Sequence, residues 1–252
     1  MSFLDEFLEI NYEVIKKSTY AFKRNLGILF WGIVFVVLNM VLQNIAVGLP
    51  LFAHIAILMV NSALISEYLY VIENIITYGK YSRNDLKVGY KVYFKKIYII
   101  LLIFWFADYT IQLFLRDIMA MVPLLSIVVS LLKVAVLIVL SAVPEVVYQK
   151  YFGDFENIVY AYDFFKENWK EWGLPNLILF ACSFLIYFLV VKLTLLIPVA
   201  NPYLFAFLRF LIYGIAIQAI LAYGMIYRGY LFKVLSISSK RKREYMRNMF
   251  KH

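Results

Sequence analysis

The sequence predicts an all-α, polytopic membrane protein. Six transmembrane helices form three hairpins, each preceded by an interfacial amphipathic helix, and residues 1–252 make one integral membrane domain. Three observations predict it. First, 64% of the residues are hydrophobic and 16% charged, and mean hydropathy is +0.79; soluble domains run near 45–50% apolar and about 25% charged. Second, six apolar runs are each long enough to cross a hydrocarbon core of ~30 Å, which takes ~20 helical residues. Third, lysine and arginine are divided sharply between alternate links.

The runs cover about 26–48, 51–72, 97–115, 122–143, 173–197 and 203–227. Each must cross as a closed helix, because hydrocarbon offers no partner to a free backbone N–H or C=O. The links 48–51, 115–122 and 197–203 are short, and the links 72–97 and 143–173 are long. Short links force antiparallel neighbours, which gives the three hairpins.

Orientation follows from the basic residues, which stay on the cytoplasmic side near helix ends. The N-terminal segment, the two long links and the tail 228–252 together carry 21 of them, and the three short links carry only Arg116. Both termini and both long links are therefore expected in the cytosol, with the protein in the cell membrane. Met1 to Arg24 holds four acids and four bases and no apolar core of a cleavable leader, so the first apolar run reads as a retained span.

The amphipathic segments come next. Residues 13–25 read EVIKKSTYAFKRN and residues 156–168 read ENIVYAYDFFKEN, with Glu13/Glu156, Ile15/Ile158, Phe22/Phe165, Lys23/Lys166 and Asn25/Asn168 in register. A third copy at 85–97 would align Asp85, Phe94 and Lys95. Five matches in thirteen positions are compatible with a repeat and also with chance. Tyr12, Ile15, Thr19, Phe22 and Leu26 follow helical spacing, as do Phe155, Ile158, Tyr162, Phe165 and Trp169. An apolar stripe beside lysines suits a helix in the headgroup layer; a cytosolic helix packed on its neighbours gives the same pattern.

Charge at bilayer depth is costly and needs an account. Asp108 and Lys133 lie near mid-depth in spans three and four, which a short link makes neighbours. They are predicted to face each other as an ion pair, either fixing helix register or serving a proton or substrate relay. Lys192 and Arg209 lie near the outer ends of spans five and six. There they can snorkel to the interface or contact an anion or lipid headgroup; Pro198 and Pro202 bracket the turn between them. Glu67 and Glu145 are expected to pair with bases at the cytosolic face. His54 reads as a packed polar tip, and Asn39 and Asn61 as interhelical hydrogen-bonders. Lys240, Arg241, Lys242 and Arg243 in the tail are expected to contact anionic lipid headgroups at about 1 kcal/mol per base. Nucleic-acid binding is the weaker reading of a run tethered at a bilayer.

The chemistry of an enzyme has no carrier. His54 and His252 are the only histidines and Cys182 the only cysteine, so no His pair for a zinc protease, no cysteine metal site and no internal disulfide can form. There is no G-x-S-x-G elbow and no phosphate-binding G-x-x-x-x-G-K-[ST] loop. No catalytic residue, cofactor or metal is expected.

Glu156 to Trp169, with Asn168-Trp169 leading into a span and Pro144-Glu145 closing the one before, resembles a motif of poorly characterised prokaryotic six-helix membrane proteins. That group includes the membrane domain fused to some glycerophosphodiester phosphodiesterases. The resemblance covers nearly the whole chain through short, degenerate motifs, and no catalytic residues carry over. It implies a membrane-embedded module that serves envelope upkeep or partners a transporter. The interfacial helices, the basic tail and the absence of catalytic chemistry point to a non-enzymatic module that binds lipid or a partner protein. The alternative is a transporter or its membrane subunit, with the link 144–172 docking a separate ATPase.

Overall fold

The computed structural model describes residues 3–46, 50–195 and 202–237. These residues are all-helical, with no strand among them. The helices are α1 (Phe3–Arg24), α2 (Ile28–Ala46), α3 (Pro50–Tyr78), α4 (Arg83–Val92), α5 (Phe94–Met121), α6 (Pro123–Val139), α7 (Val143–Gln149), α8 (Glu156–Leu195) and α9 (Pro202–Ile237). Five stretches are long and apolar enough to cross a membrane: Ile55–Tyr78, Phe94–Met121, Pro123–Gln149, Glu156–Leu193 and Leu211–Ile237. A sixth is added when the bent pair Phe7–Arg24 and Ile28–Leu42 is counted as one span.

Several helices overrun the expected spans. α5 begins three residues before Ile97 and continues six past Leu115, through Arg116 and Asp117. Hydropathy marks where side chains leave the hydrocarbon, whereas the helix ends only where its i to i−4 bonding stops. Span four behaves differently. α6 stops at Val139, and a turn with Val143 N–H donating to Leu140 O (3.0 Å) opens the separate α7. Pro144 stands in the first turn of α7, where its missing N–H costs no helical bond.

The described residues fall into two compact units. The first draws on Met1–Ala53, Ile72–Ser82 and Lys170–His252, and the C-terminal half of α9 is its hub. α1 and α2 both pack along α9. The contacts step backward along α9 as they step forward along α1. The Tyr227 hydroxyl donates to Asn11 Oδ1, the Thr19 hydroxyl lies 3.4 Å from the Tyr223 hydroxyl, and Gln218 Nε2 donates to Ile28 O at 3.3 Å. Phe22 meets Tyr223 edge-on at 5.8 Å. Another face of α9 carries Phe232 and Arg228 onto the ring of Trp172, at 6.2 Å and 5.2 Å. Trp172 and Phe232 are wholly buried.

The entry into α2 is a sharp corner. Residues 25–27 are a turn, and the flanking helices meet at 76°. Asn25 holds the corner: its Nδ2 donates to Ala21 O at 2.8 Å and to Gly79 O at 3.1 Å. A Cβ at Gly27 would lie 2.5 Å from the Tyr81 hydroxyl oxygen, so that phenol would have to swing aside.

The second unit comprises His54–Val71 and Arg83–Trp169. Here α4 docks on α3 at one point. Gly89 lies so close that an added Cβ would stand 3.1 Å from Glu67 Cα. Ser66 clamps the junction, its Oγ donating to Gly89 O at 2.7 Å and accepting from Tyr93 N–H at 2.8 Å. Tyr93 is the break between α4 and α5, so this hydroxyl satisfies an orphan donor at a helix start. α5 then packs against α6. α7 is buried through Val143, Glu145, Val146, Val147 and Tyr148. The loop after it is tied by Gly153 N–H to Glu156 carboxylate (2.8 Å) and by Lys95 to Asp154 (3.4 Å).

α8 is continuous by hydrogen bonding but not by conformation. Asn168 leaves helical geometry at φ −119°, ψ 23°. Its Nδ2 donates to Phe164 O at 3.0 Å, the same i to i−4 bond that Asn25 makes to Ala21 O. The likeness extends inward from both asparagines. Val14, Ser18, Ala21 and Asn25 are buried, and so are Asn157, Ala161, Phe164 and Asn168, 143 residues on. The segment at 85–97 does not share this register: its helix breaks at Tyr93, four residues before the position that aligns with Asn25.

Candidate functional site

The residue types that could do chemistry are sparse inside the spans, so the site is built from the charges there. α5 is 28 residues long, about 42 Å at 1.5 Å per residue. Asp108 stands 14 residues from Phe94 and 13 from Met121, at the centre of that helix. α6 and α5 pack side by side, and the Lys133 ammonium forms a salt bridge with Asp108 Oδ1. The two charges that sequence assigns to one depth are in contact.

Their surroundings are apolar. Phe104, Ile111, Leu115, Val129, Leu132 and Val136 wall a cleft of about 440 Å³ in which the pair sits. The pair is far from enclosed, with 52% of the Asp108 side chain and 38% of the Lys133 side chain exposed. The cleft fixes two opposite charges beside one another. It presents no nucleophile and no second acid or base.

Lys192 and Arg209 each lean on an aromatic ring of their own helix. The Lys192 ammonium lies 5.4 Å from the Phe188 ring centre. Arg209 donates from Nη2 to the Tyr213 hydroxyl at 3.0 Å, with its guanidinium 5.5 Å from that ring. Tyr187 and Tyr213 bring α8 and α9 together, ring centres 6.4 Å apart.

One acid departs from expectation. Glu67 does not reach the basic links: it lies buried under Gly89, and no cation is within ion-pair distance of it among the described residues. The reason is the tight docking of α4, which seals that face of α3. Glu145 is wholly buried in α7, where α6 has ended at Val139 and the chain turns before Val143. Asn61 is half-buried, and its Oδ1 has no partner among the described residues. Lys240, Arg241, Lys242, Arg243 and Pro198 lie outside the described residues, as do the side chains of Asn39, His54 and Pro202.

Outside the spans, burial lowers the pKa of the Lys150 ammonium, which lies 5.6 Å from the Tyr160 ring centre. Burial likewise raises that of the Tyr81 phenol. Among the described residues no group of three His, Cys, Asp or Glu side chains could hold a metal ion.

Sequence reasoning passed over the polar residues that tie helices together: Ser66, Asn11, Gln218 and Arg228. The small residue Gly89 on a ten-residue helix beside Lys87 and Lys91 is the one signal that was available. Comparison with known proteins finds no matching family, no matching curated sequence and no matching solved structure.

Proposed function

We propose that this protein is a non-enzymatic multi-pass module of the cell membrane that binds lipid or a partner protein, both termini facing the cytosol. Its six spans are taken as three hairpins, and α1, α4 and the first part of α8 as interfacial helices leading into them. The role in envelope upkeep rests on the resemblance carried by Glu156 to Trp169.

One observation carries the reading. α1 turns through 76° into α2, so when α2 crosses the bilayer α1 lies close to its plane. α1 packs inward through Val14, Ser18 and Ala21 and leaves Leu8, Tyr12, Ile15 and Tyr20 exposed among its lysines. Tyr162 and Trp169 are exposed in the same way on α8, and Phe155 in the turn before it. A helix that has already buried one face and still offers aromatics beside lysines is suited to the headgroup layer. The basic tail adds attraction to anionic lipid.

A transporter subunit is the second reading, favoured by the cleft around Asp108 and Lys133. Native mass spectrometry of the protein released from mild detergent separates the two. Bound phospholipid, or a partner that is not an ATPase, supports the module. Co-release of an ATPase, or substrate flux in proteoliposomes that Asp108→Asn abolishes, overturns it in favour of transport.

A further inference from the structure

We infer that the α5–α6 face carrying Asp108 and Lys133 is the docking surface for a second copy of this chain. The inference rests on the module reading above and names its partner.

The first ground is the position of the pair. An acid and a base at the centre of their helices are shielded from hydrocarbon only by protein or by water. Within their own cleft they shield each other on one side and remain 52% and 38% exposed on the other. Lipid tails cannot pair with charge, and headgroups do not reach that depth.

The second ground is what surrounds them. Ser126, Ser130 and Lys133 follow at i, i+4 and i+7 on α6, one stripe of one helix face. Both serine hydroxyls donate to their own helix, to Pro123 O and Ser126 O, so they need no outside partner and add little bulk. Small residues in such a row let two membrane helices approach closely. Ile127 and Val134 are exposed beside the stripe.

The third ground selects the occupant. One acid and one base side by side at one depth are their own complement. A two-fold axis along the membrane normal keeps the depth of every atom and sets Asp108 of one copy against Lys133 of the other. The result is a closed ring of two acids and two bases with no net charge. Closed two-fold assemblies with a self-complementary patch are the commonest form of oligomer. An unrelated partner would need an opposite pair at the same depth; a second copy has it by construction.

The test uses the full-length protein in nanodiscs and three sets of variants. Native mass spectrometry should show a dimer for the unaltered protein. Asp108→Leu with Lys133→Leu keeps the helices apolar throughout and should weaken dimerisation at least tenfold. Asp108→Lys and Lys133→Asp each carry like charges on this face and should not self-associate. Co-expressed, they should form a heterodimer, which also restores whichever variant fails to accumulate alone. In a Cys182→Ser background, Ser130→Cys should cross-link between copies, and Leu177→Cys on α8 should not. An unaltered protein that stays monomeric, a Leu/Leu variant that dimerises as well as the parent, or a charge-reversed pair that does not associate overturns the inference. A monomer holding phospholipid or a different protein also overturns it while leaving the module reading in place. Substrate flux would overturn the module reading itself.

Discussion

Replacing Lys133 with methionine removes one half of the intramembrane pair and keeps the volume and helix propensity of the side chain. What it leaves is Asp108, 14 residues or about 21 Å of helix from the N-terminal end of α5 and about 20 Å from the other end. An aspartate is too short to reach either interface from there. A lone charge at helix centre costs about 2.5–3.5 kcal/mol on insertion scales. The unfolded state in a micelle retains part of the same penalty, which brings the expected loss to about 2–3 kcal/mol. Asp108→Leu should cost about as much by stranding Lys133. The double variant should recover to within about 1 kcal/mol of the parent, because neither charge is left alone. The assay is reversible unfolding by SDS in mixed micelles, run as a double-mutant cycle. Two single variants that each unfold within about 0.5 kcal/mol of the parent would refute the reasoning. So would a double variant as unstable as the two losses added together.

Three other outcomes follow from packing and burial. Gly89→Val should lower stability by about 1–3 kcal/mol, since its Cβ would meet Glu67 Cα at 3.1 Å and force α4 off α3; SDS unfolding measures it, and Gly173→Ala, with open space around it, serves as control. Asn25→Ala removes the donor to both Ala21 O and Gly79 O and should cost about 1–3 kcal/mol. Asn168→Ala loses one such bond and should cost less, and equal losses in thermal denaturation would contradict the corner role of Asn25. Burial holds the folded pKa of Lys150 below its unfolded value. Its charged form therefore opposes folding at neutral pH, an opposition relieved as pH rises through the folded pKa. Acylation by an amine-selective reagent should accordingly reach half-maximum at lower pH for Lys150 than for Lys16, and the reverse order would contradict it.

The parts legible in the sequence are those that depend on composition over a window. The apolar runs mark helices because nothing else satisfies their backbone in lipid. Asp108 and Lys133 could be matched because two rules, rise per residue and a short link, fix both depth and neighbourhood. Asn25 and Asn168 were aligned as a repeat, and each turns out to bond back to its i−4 carbonyl where its helix breaks. The inward faces of these helices are not legible from hydropathy: Tyr12 and Phe155 are exposed, whereas Ser18 and Ala161 are buried. Small residues share the inward faces of these helices with Val14 and Phe164, so hydropathy alone does not mark the contact side. Ser66, Gln218 and Tyr227 act across 23, 190 and 216 residues of chain, and no local period announces such contacts.

The central claim is that the chain crosses the membrane six times with its basic flanks on the cytosolic side. Single cysteines in a Cys182→Ser background, labelled in intact cells by a membrane-impermeant maleimide, test it directly. Met121→Cys and Val199→Cys should react from outside, while Ser2→Cys, Ser82→Cys, Tyr151→Cys and Ser239→Cys should react only after the cells are opened. Reaction of Ser2→Cys or Ser239→Cys in intact cells would contradict the account.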